Sequence, residues 1–130
     1  DHAKKIIVYL VIEYLYHILA LILGMQMNEK IIDIRELYSK MDSDNSDFID
    51  FFDLRHLHSG ILRLKPGQLD GQEPHSLDEI YLVLRGDGFI EIGKKSYVLK
   101  KDLFIYVPAK VKHRFYGNTQ EILVIYFFSD

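Results

Sequence analysis

Residues 67–86 read GQLDGQEPHSLDEIYLVLRG, residues 102–115 read DLFIYVPAKVKHRF, and these two pieces decide the fold. Between them they carry four side chains with oxygen or imidazole nitrogen donors that suit a divalent cation. These candidate ligands are Glu73, His75, Glu79 and His113. Side chains alternate between the two faces of a strand, so an extended chain places 73 with 75 and 79 with 81. A small β-barrel would bring all four donor groups to one interior point.

The spacing of this stretch resembles the first sequence motif of the cupin superfamily. That motif reads Gly, five residues, His-x-His, three or four residues, Glu, six residues and Gly. Gly67, His75, Glu79 and Gly86 hold the matching positions, and Glu73 stands where the motif has its first His. The match is therefore complete in spacing and differs in one ligand.

The second cupin motif reads Gly, five residues, Pro-x-Gly, two residues, His, three residues and Asn. Pro108 and His113 match it, whereas Asp102 and Lys110 stand at the two Gly positions. The Asn position holds Gly117. The second motif is thus retained at its proline and its metal-ligating histidine and altered at its turn residues.

The resemblance extends over roughly residues 60–128 and implies a small single-domain cupin. Its fold would be all-β, a double-stranded β-helix (jelly-roll) barrel, here with an N-terminal helical extension. It also implies a metal ion at the barrel centre, bound by His75, Glu79 and His113. Glu73 would either supply a fourth ligand or act as a general base beside the metal. Iron, manganese, zinc and nickel all suit these donors.

Hydrophobic alternation and turn residues predict an all-β domain over residues 59–130 independently of the resemblance. We expect about eight short strands separated by turns rich in Gly, Pro and Asn, and we count residues 73–76 among them. Residues 122–128 read ILVIYFF, which predicts a last strand covered on both faces. This succession is typical of a barrel or a sandwich.

Alternation also predicts which side chains line the pocket. Tyr81 would share the inward face of Glu79, where it is a wall residue and a candidate catalytic residue. Gln72 is a candidate for the pocket mouth. Arg63 would either face inward and hold an anionic substrate or face the solvent.

Residues 1–27 form a separate apolar segment. Within residues 6–23 only Glu13 and His17 interrupt the apolar and aromatic side chains, and a helix that is apolar on all sides is not a surface helix. Three interpretations remain: a membrane anchor, a helix buried against the barrel or a partner subunit, or an extension outside the natural reading frame. A span needs about 20 apolar residues, but a carboxylate near its centre opposes insertion by about 2.5–3.5 kcal/mol.

Residues 28–58 predict a short helix and an acidic loop that lead into the barrel. An amphipathic helix over residues 28–41 with Asn28 as its N-cap competes with an edge strand in the same segment. Residues 42–53 place oxygens where a calcium loop has its ligands, but Gly at position six and Glu at position twelve of the loop are missing. The other interpretation is a solvated acidic loop.

The amino-acid composition of the chain limits the kinds of partner that we expect it to bind. The formal net charge is -3 and no basic stripe is present, so we expect no nucleic acid. The chain has no Cys, which excludes disulfides and thiolate ligands and fits a reducing compartment. We therefore expect a cytoplasmic protein, membrane-associated if residues 6–23 act as an anchor. A homodimer is expected on family grounds and because the apolar ends need cover.

Two functions are consistent with such a site. The first is a metal-dependent enzyme of the dioxygenase, isomerase or lyase type that acts on a small molecule. The second is a non-catalytic cupin that binds or senses a small ligand, because a fold does not decide a function. Glu73 discriminates among the chemistries: as a ligand it favours a hard divalent ion and isomerase or lyase chemistry, whereas a three-ligand site leaves positions open and suits oxygen chemistry.

Overall fold

The computed structural model describes residues 1–23 and 29–129. They fall into two compact units, Asp1–Ile32 and Asp33–Asp130. The domain boundary predicted between residues 27 and 28, and the N-cap predicted at Asn28, lie outside the described residues.

The first unit consists mainly of the 21-residue helix α1, His2–Ile22, whose N-cap Asp1 accepts a hydrogen bond from the backbone NH of Ala3. A helix of this length measures about 31 Å, which matches a hydrocarbon core of about 30 Å. Most of its apolar side chains are exposed, whereas Ala20 is buried and Ile18 half-buried, and the mean hydropathy of its best window is 1.9. By length and composition it is able to cross a membrane, a test that core helices and signal sequences also pass.

The second unit begins with helix α2, Ile34–Asp44, which is amphipathic as predicted but starts later in the chain. Asp33 is its N-cap and accepts from the backbone NH of Arg35, and Asn45 ends it in the left-handed conformation with φ 51°. The apolar face of α2 packs on two buried strand residues, Ile61 and Leu123. The alternative of an edge strand is therefore wrong over the helical residues.

The acidic stretch divides between α2 and the first strand. Asp42 and Asp44 end the helix, and Asp50 and Asp53 lie on strand β1, Phe48–Asp53. Residues 42–44 are helical and residues 48–53 form a strand, so the loop interpretation is wrong for residues 42–44 and the 12-residue calcium loop is not formed. None of these carboxylates belongs to the group of converging donor atoms found among the described residues.

Arg63 forms an ion pair with one of these carboxylates, that of Asp42. Its side chain is 5% exposed, and its guanidinium donates to Asp42 and, over 3.0 Å, to the carbonyl oxygen of Met41. Both acceptors belong to α2. Arg63 therefore faces neither the pocket nor the solvent, because α2 covers that face of its strand.

Eight strands form two sheets in which all the described pairs are antiparallel. The strands after β1 are β2 Leu57–Leu64, β3 Asp78–Arg85, β4 Phe89–Ile92, β5 Lys95–Val98, β6 Phe104–Val107, β7 His113–Tyr116 and β8 Ile122–Ser129. The larger sheet has the order β1-β2-β8-β3-β6 and the smaller one β5-β4-β7. This architecture is the predicted jelly-roll barrel, preceded in sequence by helices.

Two strand predictions are wrong in position. The sheet begins at Phe48, before residue 59, because β1 pairs along β2 from Phe48↔Leu62 to Asp53↔His58. Its regularly spaced Asp residues conceal the apolar pattern of a strand. Residues 73–76 form no strand, and Pro74 within them lacks the NH that a central strand needs.

The core lies between the two sheets. It consists of Leu64, Tyr81, Val83, Ile90, Leu99, Val107, Phe115, Ile122, Val124 and Tyr126. Strand β8 is buried along Ile122–Tyr126 on both faces: alternate side chains enter this core, while Leu123 packs beneath α2. The prediction of a last strand covered on both faces is confirmed.

Candidate metal centre

Three of the predicted ligands converge inside the barrel. Glu79 lies on β3 and is 2% exposed, His113 opens β7 and is 3% exposed, and His75 is half-buried in the loop before β3. Nε2 of His113 lies 3.1 Å from Oε1 of Glu79, and Nε2 of His75 lies 3.7 Å from the same oxygen. All three donor atoms are within 4.8 Å of one another.

These separations suit a common ion. Donor atoms about 2.1 Å from a metal are about 3.0 Å apart at right angles and about 3.4 Å apart at the tetrahedral angle. The observed distances of 3.1 and 3.7 Å lie close to those values. Two imidazoles and a carboxylate also form a donor set that divalent transition metals accept.

The Val111 carbonyl determines the tautomer of His113. Nδ1 of His113 lies 3.0 Å from the Val111 oxygen, which can only accept, so Nδ1 carries a hydrogen. In the neutral ring Nε2 then has no hydrogen and presents its lone pair to the site. Nε2 of His113 and Oε1 of Glu79 are thus two acceptors in contact, and they need a cation or a proton between them.

The carboxylate of Glu79 also requires a cation or a proton beside it. Its Oε1 is buried and has no hydrogen-bond partner among the described residues as long as Nε2 of His113, 3.1 Å away, carries no hydrogen. A buried ionised carboxylate without compensation costs several kcal/mol. This unpartnered oxygen is therefore an acceptor for positive charge, and the donor set around it fits a divalent cation.

The same contacts act on the protonation of His113. Burial alone lowers its pKa, but the Glu79 carboxylate, the Val111 carbonyl and the charge of Asp70 outweigh burial, so the pKa of His113 is raised above its usual value. Without an ion, a proton on His113 neutralises the pair. A divalent ion would replace that proton.

His75 is held in place by its backbone, because it is not on a strand. Its carbonyl accepts a hydrogen bond of 2.6 Å from the NH of Lys110, in the second motif. Its ring packs edge-on against Phe128, with 4.7 Å between the ring centroids. Lys110 has φ 67° and Asp102 has φ 71°, so both altered Gly positions of the second motif keep the left-handed conformation.

Tyr81 lies behind the ligands, on the inward face that alternation predicts, and is fully buried. Its hydroxyl lies 3.1 Å from Nε2 of His113 and donates over 3.0 Å to Oε1 of Gln72. Burial, followed by the charge of Glu79, raises the pKa of Tyr81 far above its usual value, so the hydroxyl stays protonated. Tyr81 is therefore a hydrogen-bond donor at neutral pH.

Asp70 orients Gln72, and sequence analysis missed it. Its carboxylate accepts from the side-chain amide of Gln72 over 2.9 Å and from the backbone NH of Phe115 on β7 over 2.8 Å. Because Asp70 binds the NH₂ group of Gln72, the Oε1 atom of Gln72 points towards the hydroxyl of Tyr81. The same Oε1 lies 3.5 Å from Nε2 of His75. No sequence pattern identifies this contact, because it joins a loop to a distant strand.

Glu73 is not brought into the group. Its side chain is exposed, while its neighbour Gln72 faces the site. The expectation that residues 73 and 75 share a face assumed a strand, and this segment is a loop in which alternation does not apply. Glu73 is thus absent from the described cluster of three donors.

A cavity of about 260 Å³ opens beside the cluster. It is lined by Phe48, Asp50, Leu62, Gln72, His75, Glu79, Tyr126 and Phe128. Its walls are mainly apolar, and its polar groups gather at two places, the His75–Glu79 side and the pair of Asp50 and Tyr126. The volume suits a small ligand.

The chain belongs to the cupin family, since the model of the cupin domain matches residues 60–129. An uncharacterized protein of Streptomyces coelicolor is 29% identical over 100 residues, which are 77% of this chain and 95% of that protein. The match thus includes residues before the family domain begins.

Solved structures show the same fold. A cupin domain from Schizosaccharomyces pombe is 15% identical, with a TM-score of 0.56, over 63% of this chain and 62% of that one. A structure of DMSP lyases is 18% identical, with a TM-score of 0.59, over 64% of this chain and 46% of that one. This chain spans less than two thirds of either protein, and identities this low support the fold alone.

Proposed function

We propose that His75, Glu79 and His113 hold a divalent metal ion and that the protein is a small-molecule enzyme of the dioxygenase, isomerase or lyase type. The observation that carries the proposal is the buried, unpartnered Oε1 of Glu79 facing the lone pair of His113 Nε2. A cavity beside the same atoms provides room for a substrate.

A bound ion would supply Lewis-acid chemistry by polarising an oxygen of the substrate. The remaining residues have separate roles. Gln72 orients Tyr81 through a hydrogen bond, and the protonated Tyr81 donates a hydrogen bond near the ligands. Glu73 is not included among the ligands, and a role as base would require its exposed side chain to turn inward.

The class of reaction is proposed from the donor set and not from the comparisons. A structure of DMSP lyases shares this fold at 18% identity, and a lyase is one of the reaction classes that we propose. Three protein ligands leave coordination positions open, which both lyase and dioxygenase chemistry require. Iron, manganese, zinc and nickel are the candidate ions.

A non-catalytic binding or sensor protein is the second candidate. It is favoured by the position of Tyr81, the candidate catalytic residue, which is fully buried behind the donor cluster and does not line the cavity. Apart from the proposed ligands, Asp50 is the one carboxylate that lines the cavity among the described residues. A metal without an exchangeable position would support this second function.

Metal content measured by elemental mass spectrometry on purified protein tests the site. We expect about one ion per chain in the wild type, loss of the ion in His113→Ala, and retention in the control Glu73→Ala. A wild-type chain that stays free of metal after reconstitution with iron, manganese, nickel and zinc would overturn the proposal.

We also propose that residues 6–23 associate with a membrane and leave the cupin domain in the cytoplasm. Support for the association comes from the length of α1 and its exposed apolar side chains. Three cations follow the segment, Lys30, Arg35 and Lys40, and two precede it, Lys4 and Lys5, a balance that favours the cytoplasmic side for the cupin domain. In membrane fractionation, Leu10→Glu with Leu15→Glu should release the full chain, whereas the control Glu36→Gln should not. A wild-type chain that remains in the supernatant would contradict the anchor.

A homodimer is proposed from the exposed edge of the larger sheet. Strand β6 is an edge strand, and its Phe104 and Tyr106 are 71% and 58% exposed. Apolar edge strands are usually covered in native proteins. Phe104→Glu should convert a dimer to a monomer in analytical ultracentrifugation, and a monomeric wild type would refute the dimer.

A further inference from the structure

The cavity has a second polar group on the side contributed by β1 and β8. The hydroxyl of Tyr126 donates a hydrogen bond to the carboxylate of Asp50, and both residues line the cavity that Glu79 and His75 also line. Tyr126 is 7% exposed, whereas Asp50 is exposed at the rim. We call this pair the Asp50 pole.

Gly60 makes this contact between strands possible. On β2 it is paired with Asp50 on one side and with Tyr126 on the other, so the tyrosine reaches across it. A Cβ at position 60 would lie 2.1 Å from the hydroxyl oxygen of Tyr126 and 2.6 Å from the carbonyl oxygen of Ile49. Only a residue without a side chain allows Tyr126 to lie there.

The backbone of β1 also changes register at this point. Its pairing with β2 shifts between Asp50 and Phe52. Such bulges redirect side chains and are frequent beside functional sites. Strand β1 precedes residues 60–129, over which the family domain matches, so Asp50 comes from a part of the chain outside that domain.

The chemistry of Asp50 suggests what it recognises. An ionised carboxylate can accept about four hydrogen bonds, and among the described residues Asp50 accepts one, from Tyr126. The rest of its capacity is available to a ligand in the cavity. The apolar side chains of Phe48, Leu62 and Phe128 line the same cavity.

We propose that the Asp50 pole binds a hydrogen-bond donor, a hydroxyl or an ammonium group, on a small ligand whose other end carries an oxygen donor for the metal. The ligand class is therefore a short hydroxy- or amino-carboxylate with an apolar middle. This inference rests on the proposed metal centre for one end of the ligand and on the Asp50 pole for the other.

A purely structural role is the competing explanation. Asp50 would then serve only to satisfy the buried hydroxyl of Tyr126, and its loss would change stability without changing ligand preference. The two explanations differ in one measurable quantity, which is the ratio of affinities for ligands with and without a distal donor.

The experiment uses the full chain loaded with cobalt(II), whose content is measured before any ligand is added. Butanoate, 4-hydroxybutanoate and 4-aminobutanoate are titrated by calorimetry, together with their five- and six-carbon homologues. In the wild type we expect a donor-ended probe of suitable length to bind at least about tenfold more tightly than its parent, as a hydrogen bond to a charged group provides.

In Asp50→Asn the preference for the amino probe should fall below about threefold, while the cobalt content and the affinity for the parent carboxylate stay at the wild-type level. Asp53→Asn is the matched control. It changes a second exposed carboxylate of β1, which pairs with His58 and does not line the cavity. The control should keep the full preference.

The outcomes separate the two proposals. A wild type that takes up neither cobalt nor iron, manganese, nickel or zinc overturns the metal centre and this inference with it, and a wild type that takes up one of the other ions in place of cobalt is titrated with that ion. A wild type that holds cobalt but binds none of the probes, or binds all of them without preference for a donor, overturns the Asp50 pole alone. An undiminished preference in Asp50→Asn overturns it as well.

Discussion

The strands and the loop that form the candidate metal centre position their side chains in different ways. Glu79 and His113 lie on strands β3 and β7 and are almost fully buried, so the sheet itself determines where they point. His75 and Gln72 lie in a loop and are held by hydrogen bonds to Lys110 and Asp70. The direction of the strand side chains therefore follows from the sheet, whereas that of the loop side chains depends on contacts with distant parts of the chain.

The largest expected difference between the two kinds of ligand is in metal affinity. Glu79→Gln and His113→Ala remove buried donors from a rigid sheet, so each should weaken binding of zinc more than about 100-fold. His75→Ala removes a half-buried loop donor and should cost about tenfold. Competition with a chromophoric chelator measures all three dissociation constants. A larger loss in His75→Ala than in Glu79→Gln would reverse the comparison.

Asp70→Asn tests how strongly the loop depends on its hydrogen bonds. Asp70 accepts from Phe115 and from two nitrogens of Gln72, so the change should lower the free energy of unfolding by about 1–3 kcal/mol. Urea denaturation of the metal-free chain measures it. Gln68→Ala, which alters the same loop away from the site, should cost less than Asp70→Asn; an equal cost would show that the loop lacks this specific anchor.

Lys110→Gly addresses the turn that supports His75. Lys110 adopts φ 67°, a conformation that costs a non-Gly residue roughly 1–2 kcal/mol in the folded state. Gly would remove this cost, but its greater conformational freedom stabilises the unfolded chain by about 0.4–1 kcal/mol and offsets part of the gain. The variant should therefore be more stable by about 0.5 kcal/mol in urea denaturation. Lys112→Gly, in the same segment, serves as the comparison and should give no gain.

The smallest expected effect concerns the decrease in the free energy of unfolding at acidic pH. Thr119 and the backbone NH of Gln120 donate to Asp87, and these hydrogen bonds hold the pKa of Asp87 below its usual range. A lowered folded pKa contributes stability above the unfolded value of about 3.9, and this stability is lost as pH falls through the folded pKa.

Asp87→Asn should accordingly flatten the loss of stability below about pH 4. Chemical denaturation at a series of pH values measures this slope. Thr119→Val removes one donor and should reduce the slope in part. Identical slopes in wild type and Asp87→Asn would show that Asp87 does not contribute.

Most of the barrel was predictable because its strands carry local information. The alternation around Glu79 and Tyr81 and the apolar run of β8 each identify an element and its inward face. Strand β1 was not predictable, since Asp50 and Asp53 interrupt its pattern and its pairing with β2 decides its structure. At residues 73–76 a strand was expected from the position of the motif, but the segment is a loop, because spacing in a motif does not determine backbone conformation.

The sequence by itself determined the all-β class through strand periodicity and turn residues, which act over a few positions. The resemblance of its motif spacing to cupins indicated the family and the three donor residues His75, Glu79 and His113, which the structure brings together. Only the tertiary structure decided that Gln72 faces the site while Glu73 is exposed, that Arg63 pairs with α2, and that Asp50 meets Tyr126 across Gly60. Each of these depends on hydrogen bonds or close approaches between segments that are distant in sequence, and no local pattern encodes them.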